Sequence, residues 1–371
     1  MADLSRRTLL LGGGALLSAA GAGTAALLTK PWSALADRSA APPITRPPIP
    51  VVTPAPARTA APTPTAPALG TTLLTQLGLP AGLVTIPRLA IGGVMQDVVA
   101  VPAQGVYFVT QKMSGSNGSE LPYESTVINR VRNDGSLVDA MVLVDGGHGL
   151  GFEAEPDGTG TWIWMTWHGA NADSGGREND FVRLRYTPGT FTRGQANAQL
   201  GLTLVPFQDH PEAVHHFDWA RDLAVERHFN WPQPGQAATE TFVRRRISDL
   251  RNGVDDRLDE ILLRASPPTT QGFATVNDTF FRWLGAGTSG GVANPADPIV
   301  LEQYSWATGQ LVATGSYAGL WQPWDDGVAE PQGASVQREA DGSASLILGL
   351  TTGAVGRRRY RLSKHAGIGA A

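Results

Sequence analysis

One unit recurs five times along this chain, and a recurrence on that scale leaves few folds open. Each copy reads as one or two polar residues, a small residue, a short apolar run, a turn and a second apolar run. The copies are "MQDVVAVPAQGVYFVTQ", "GHGLGFEAEPDGTGTWIWMTW", "HHFDWARDLAVERHF", "TQGFATVNDTFFRWLG" and "PQGASVQREADGSASLILGL". Their leading polar residues are Gln96, His148, His216, Gln271 and Gln332, at intervals of 52, 68, 55 and 61 residues. Every interval holds four strands with their loops.

A four-stranded unit cannot bury both its faces alone. Stacked on neighbours around an axis it can, and that arrangement is a β-propeller. The five copies therefore predict an all-β, five-bladed β-propeller with four-stranded blades. Such a ring needs a closing strand, and "LVTIPRLAI", Leu83 to Ile91, is placed to complete the blade that begins near Gln332. A β-sandwich or two small β-domains compete with this reading, but neither requires the same polar residue types at each repeat start. Elsewhere short runs of Val, Ile, Phe, Tyr and Trp end at Gly, Asp, Asn or Pro. The one helix-like stretch, "VRRRISDLRNGVDDRLDEILLR", is interrupted at Asn252-Gly253 and reads as strand, turn, strand.

Ahead of the repeats, residues 1–36 hold Arg6-Arg7, a run of apolar and small residues from Leu9 to Leu28, and Ala34-Leu35-Ala36. That is the pattern of a twin-arginine export signal with a cleavage site. A retained anchor is the alternative, since about twenty apolar residues just span a bilayer, but this run is rich in Gly and Ala. Residues 37–69 are mostly Pro, Ala and Thr, the composition of an extended spacer or of a propeptide remnant. The propeller is expected over 70–365, with a short tail at 366–371. The expected location is outside the cell or in its envelope, with no integral membrane segment after cleavage.

The chain has no cysteine, which excludes disulfides, thiolate metal sites and a cysteine nucleophile. Without residues 1–36, which carry Asp3, Arg6, Arg7 and Lys30, 26 Lys and Arg stand against 32 Asp and Glu, a net −6. An acidic balance argues against nucleic acid as a partner.

The order of "GVMQDVVAV" and "GVYFVTQ", then "GGHGLGFEAEP" and "WIWMTW", then "TTQGFATVNDTFFRWLG" and "EPQGASVQREADGSASLILGLTTG" resembles the β-propeller domain of the phage P68 receptor-binding protein and of TagC-like proteins associated with teichoic acid biosynthesis. The resemblance spans about Leu83 to Leu362. It is most specific at Gly147-His148-Gly149 with Glu155, at Gln271-Gly272 and at Glu330-Pro331-Gln332-Gly333. The family commonly has Glu where this chain has Gln332, the third blade matches least, and no phage-type tower sequence follows the repeats. The resemblance implies a five-bladed propeller and contact with a cell-wall polymer or other carbohydrate.

The first strand of each blade lines a propeller's channel, so Gln96, His148, His216, Gln271, Glu330 and Gln332 are expected to gather near one mouth, where convergent polar groups suit a sugar or small molecule. His148 is expected to begin an inner strand, its flanking glycines allowing close packing; a ring bonded to a neighbouring blade's carbonyl is the structural alternative. Catalysis by His148 with Glu153 or Glu155 needs a turn or bulge, because a continuous strand points them to opposite faces. His215, His216 and Asp218, within "DHPEAVHHFD", are of metal-ligating type, but the spacing fits no standard motif and reads better as an irregular surface loop. "GTSGG", Gly287 to Gly291, lacks the following helix that a nucleophile elbow needs. Arg244 to Arg246 read as a solvated face. Trp162 and Trp164 share a strand face and are expected to fill a blade interface, whereas Trp321 and Trp324, in the loop "GLWQPWDDGVAEPQG", are candidates for stacking on sugar rings.

Two function classes follow. One is a secreted, non-catalytic module that recognises a cell-wall glycopolymer, teichoic-acid-like, or another carbohydrate through Gln96, His148, Gln271, Glu330 and Gln332 with Trp321 and Trp324. The other is an extracellular hydrolase or lyase acting on a phosphodiester, lactone or glycan, with a divalent cation held in the channel. An enzyme of that kind needs two or more carboxylates aimed at one point. The channel candidates offer one, Glu330, so the binding module leads; no cofactor is assigned to it, and a divalent cation remains open.

Overall fold

The computed structural model describes residues 82–113, 125–158, 160–168, 179–205, 214–230, 238–254, 256–264, 269–285, 299–316, 329–353 and 358–368. The expected export signal, the spacer, Gly287–Gly291, Trp321 and Trp324 lie outside the described residues. Among the described residues no helix is long and apolar enough to cross a membrane.

Among the described residues twenty-one strands form five sheets, one for each copy of the repeat. Blade one is β2 (Met95–Val101), β3 (Val106–Met113), β4 (Ser125–Arg132) and β5 (Leu137–Leu143). Blade two is β6 (Phe152–Asp157), β7 (Gly160–His168), β8 (Asn179–Arg185) and a short β10 (Thr203–Leu204). Blade three is β11 (Val214–Asp218), β12 (Leu223–Asn230), β13 (Thr239–Arg246) and β14 (Asp259–Arg264). Blade four is β15 (Thr269–Val276), β16 (Thr279–Gly285), β17 (Val300–Ser305) and β18 (Leu311–Ser316). Blade five is β19 (Ala329–Arg338), β20 (Ala344–Thr352), β21 (Arg359–Ile368) and, from the front of the chain, β1 (Gly82–Ile86). The ring therefore closes as its sequence suggests, with β1 antiparallel to β21. Ile368 still pairs with Ala344 and is buried, so blade five extends into the expected tail. The amide ladder continues there because an apolar side chain has a core to enter.

Each inner hairpin turns on a residue in the left-handed region: Gly105, Gly158, Asp222, Asn277 and Gly342, with φ of 64°, 58°, 56°, 54° and 84°. Gly, Asp and Asn are the residues that tolerate this conformation. Five apolar clusters then fill five blade interfaces. Phe108, Met141 and Leu143 meet Phe152, Met165 and Trp167 between blades one and two. Trp164 and Phe181 meet Phe217, Ile247 and Leu250 between two and three. Phe242 meets Phe273 and Phe280 between three and four, and Phe281 and Trp283 meet Leu346 and Leu348 between four and five. Ile86, Ile347 and Leu362 meet Met95, Tyr107 and Val109 across the closing seam. The Trp164 ring stacks edge-on to Phe217 and Trp219 at 5.5 and 6.0 Å, filling the interface as expected.

Two departures have physical causes. A three-residue strand, β9 (Gly189–Phe191), leaves blade two and pairs in parallel with β5, giving blade one a fifth strand, and a short helix, α1 (Arg193–Gln199), follows it under a Thr192–Gln195 capping box. The arginine run is not uniformly solvated. Arg245 is buried against Glu226 at 3.3 Å, Arg244 pairs with Asp259 beside the Trp306 ring, and Arg246 alone is exposed, leading into a single helical turn, α2 (Ile247–Arg251).

Candidate functional site at the propeller axis

Five inner strands meet at one level of the axis. A β carbon placed on Gly272 of β15 would lie 2.5 Å from the Gly333 carbonyl carbon of β19, and one on Gly333 would lie 2.5 Å from Asp97 Oδ1 of β2. Asp97 Oδ2 accepts from the Gly151 amide ahead of β6 at 3.1 Å. Glu153 Oε1 of β6 accepts from the Phe217 amide of β11 at 2.8 Å and pairs with His216 Nδ1 at 2.8 Å. The His216 ring lies 6.5 Å from that of Phe273 on β15, which completes the circle.

Three of the glutamines singled out in the repeat occupy one structural position. The β2–β3 register slips between Met95 and Asp97, the β15–β16 register between Thr270 and Gly272, and the β19–β20 register between Pro331 and Ala334. Gln96, Gln271 and Gln332 are thus bulge residues, and a bulge re-aims its side chain out of the ladder's alternation. Gln96 and Gln332 are buried and Gln271 is half-buried. Gln332 Oε1 is buried with no hydrogen-bond partner among the described residues, as is His216 Nε2.

Register also defines the two ends of the ring. Ala329 at the start of β19 faces Thr352, Thr352 faces Arg359, and Tyr360 faces Ile86, so these residues share the end where the inner strands begin, the mouth. At the opposite end Arg338 of β19 reaches Asp218 of β11 at 2.5 Å and Asn277, just beyond β15, at 3.4 Å. Those contacts join blades three, four and five across the back of the channel.

Electrostatics at the axis are dominated by burial. Burial pushes the Asp97 carboxyl up to about 7; the amides of Val98 and Phe152 and the charge of His216 hold it back, while Glu153 adds to the rise. For His216, burial works against the imidazolium, but Glu153, Asp97 and Asp218 outweigh it and the net shift is upward. His215, buried and stacked on Phe181 at 3.9 Å, is driven well below the usual histidine range by burial and by the charges of His228 and Arg245.

Several expectations change. His148 does not begin an inner strand. It is half-buried in the loop 145–151 before β6, where the Gly147 and Gly149 carbonyls accept from the Thr126 and Thr110 hydroxyls at 2.9 and 2.7 Å. The strand starts later because Gly147, Gly149 and Gly151 all have positive φ. Glu153 and Glu155 also part company. Glu153 turns inward to His216, and Glu155 faces the rim, bonded to Trp164, Arg183 and Arg251. His215, His216 and Asp218 are not on a surface loop: all three are buried on β11, alternating in direction, with His216 and Asp218 spent on Glu153 and Arg338. Among the described residues no three His, Asp or Glu side chains are grouped to hold a metal. Glu330 is half-buried near the start of β19. Asp97 carried no expectation, although an acid within the apolar strand "MQDVVAV" is itself the signal of a buried, bonded charge.

A five-bladed propeller with a polar, partly unsatisfied axis is the architecture of a scaffold that presents one mouth. The chain belongs to the phage five-bladed β-propeller receptor-binding platform domain family, which it matches over residues 94–363. It is similar in fold to the tail fiber of Staphylococcus aureus phage P68, with a TM-score of 0.62 at 19% identity over 81% of this chain and 56% of that one. The chain thus matches little more than half the length of that fiber. An exo-β-1,3-galactanase from Phanerochaete chrysosporium is more distant, with a TM-score of 0.44 at 10% identity over 78% of this chain and 67% of that one. An α-L-arabinofuranosidase from Lactobacillus brevis stands at 0.37 and 9%, over 78% and 93%. No curated protein matches the chain in sequence.

Proposed function

We propose that this protein is an exported, non-catalytic binding module whose propeller mouth recognises a cell-surface glycopolymer, teichoic-acid-like or another carbohydrate. The observation that carries the reading is the placement of Gln96, Gln271 and Gln332 on bulges of three inner strands at one level of the axis, with Gln332 Oε1 lacking a partner among the described residues. Amide side chains both donate and accept, which is what a polyhydroxylated ligand requires. Family membership supports binding to a receptor, and the sequence of residues 1–36 supports export.

The enzyme reading draws on Asp97 and Glu153, two carboxylates near one point. Each already accepts backbone amide bonds, Asp97 from Val98 and Gly151 and Glu153 from Phe217, so both act as seams between strands. Sedimentation with purified cell walls tests the binding reading. The wild-type chain is expected to co-sediment, and His148→Ala with Gln271→Ala to weaken binding by about tenfold or more at unchanged melting temperature. Equal binding by that folded variant would remove the mouth as the site.

A further inference from the structure

Between β1 and β2 the chain crosses the mouth face as residues 87–93 without joining any sheet, yet it is held from below by buried side chains. The Ala90 amide donates to Asn129 Oδ1 at 2.8 Å, Gln111 Nε2 donates to the Ile91 and Gly93 carbonyls at 2.9 and 3.0 Å, and the Tyr360 hydroxyl donates to the Gly93 carbonyl at 2.7 Å. Leu89 is fully buried beneath it. A cavity of about 500 Å³ lies against this segment, lined by Pro87–Gly92 together with Arg358, Arg359 and Tyr360 at the start of β21.

The lining is one-signed. Arg88, Arg358 and Arg359 all line the cavity, and among the described residues no Asp or Glu does. Arg88 and Arg358 make no ion pair among the described residues, whereas Arg130, Arg183, Arg185, Arg193, Arg244 and Arg251 all do. Arg88 and Arg359 are exposed and Arg358 half-buried. In a chain of net charge −4 this is a local reversal of sign on a rigid wall, and guanidinium forks match the planar or tetrahedral oxygens of an oxyanion.

We infer that the Arg88–Arg358–Arg359 cavity is an oxyanion site, taking a phosphate ester or a carboxylate. Register places it on the same face as the axial glutamines, so one polymer can present hydroxyls to the axis and its charged group to the seam. The polymer part of this inference rests on the function proposed above; oxyanion binding by the cavity does not. Because β1 and β21 meet here, occupancy also stabilises ring closure.

Calorimetric titration of the full chain at low ionic strength, with glycerol 3-phosphate and separately with glucuronate, tests the site. One saturable equivalent is expected for at least one probe. The preferred probe distinguishes phosphate from carboxylate. Arg88→Ala with Arg358→Ala is expected to weaken binding about tenfold or more, and Arg88→Lys with Arg358→Lys to recover part of it, since Lys keeps charge but not the fork. No saturable binding of either probe, or equal binding by a folded double-alanine variant, overturns the site. Oxyanion binding by a wild-type chain that ignores cell walls keeps the site and removes the polymer. Full wall binding by the double-alanine variant removes the site's part in polymer recognition.

Discussion

Asp97 and His216 make the axis a place where stability responds to pH. Both have folded-state pKa values raised above the ordinary range, so the stability they contribute is present at low pH and is lost as pH rises through their folded values. For Asp97 the window runs from its ordinary 3.8 to about 7. The melting temperature is therefore expected to fall between about pH 4 and pH 7, and Asp97→Asn, neutral throughout, to flatten that fall. A scan of melting temperature against pH for both proteins checks this; parallel curves would place the titration elsewhere. At this scale the sequence was half legible. That Gln96, Gln271 and Gln332 share one structural position is legible because the repeat aligns them, while Asp97 is overlooked because it sits beside a residue already singled out. Glu153 was weighed only as a partner of His148. Nothing local announces that it points to a histidine of the next blade.

Elements were easier to read than their exceptions. The hairpin turns follow from patterns within about twenty residues, and the blade count and closing strand from the recurrence of those patterns along the chain. By contrast, β9 is three residues of "GTF" whose parallel pairing with β5 spans a blade boundary, and no short-range period encodes it. The inner strands owe their close approach to glycine. A β carbon on Gly272 would meet backbone atoms of Gly333 and Ala334 at 2.5 and 2.6 Å, and backbone cannot move aside as a side chain does. Gly272→Ala is expected to cost about 2–3 kcal/mol. Gly194→Ala, with nothing within 4 Å and a place in α1, is expected to stabilise by a few tenths to about 1 kcal/mol. Denaturant unfolding of the two variants checks the contrast; similar effects would mean that the axis is loosely packed.

Across the whole molecule, five interfaces make one closed ring, and the seam is where the first and last described strands meet. Ile86 is fully buried there. Ile86→Asp is expected to lower the melting temperature by more than about 10 °C, several kcal/mol spread over a domain of this size. One cooperative transition in scanning calorimetry is the expected form. Two transitions would show that β1 detaches alone. Function was least legible at this scale, since a shared scaffold serves many ligands and the cavity at the seam joins residues some 270 positions apart. The direction of β1 fixes the end from which the ring is closed. Ile86 pairs with Tyr360 at the mouth and Gly82 pairs with Lys364 farther back, so the closing strand is laid into blade five from the rear and delivers the chain onto the mouth face.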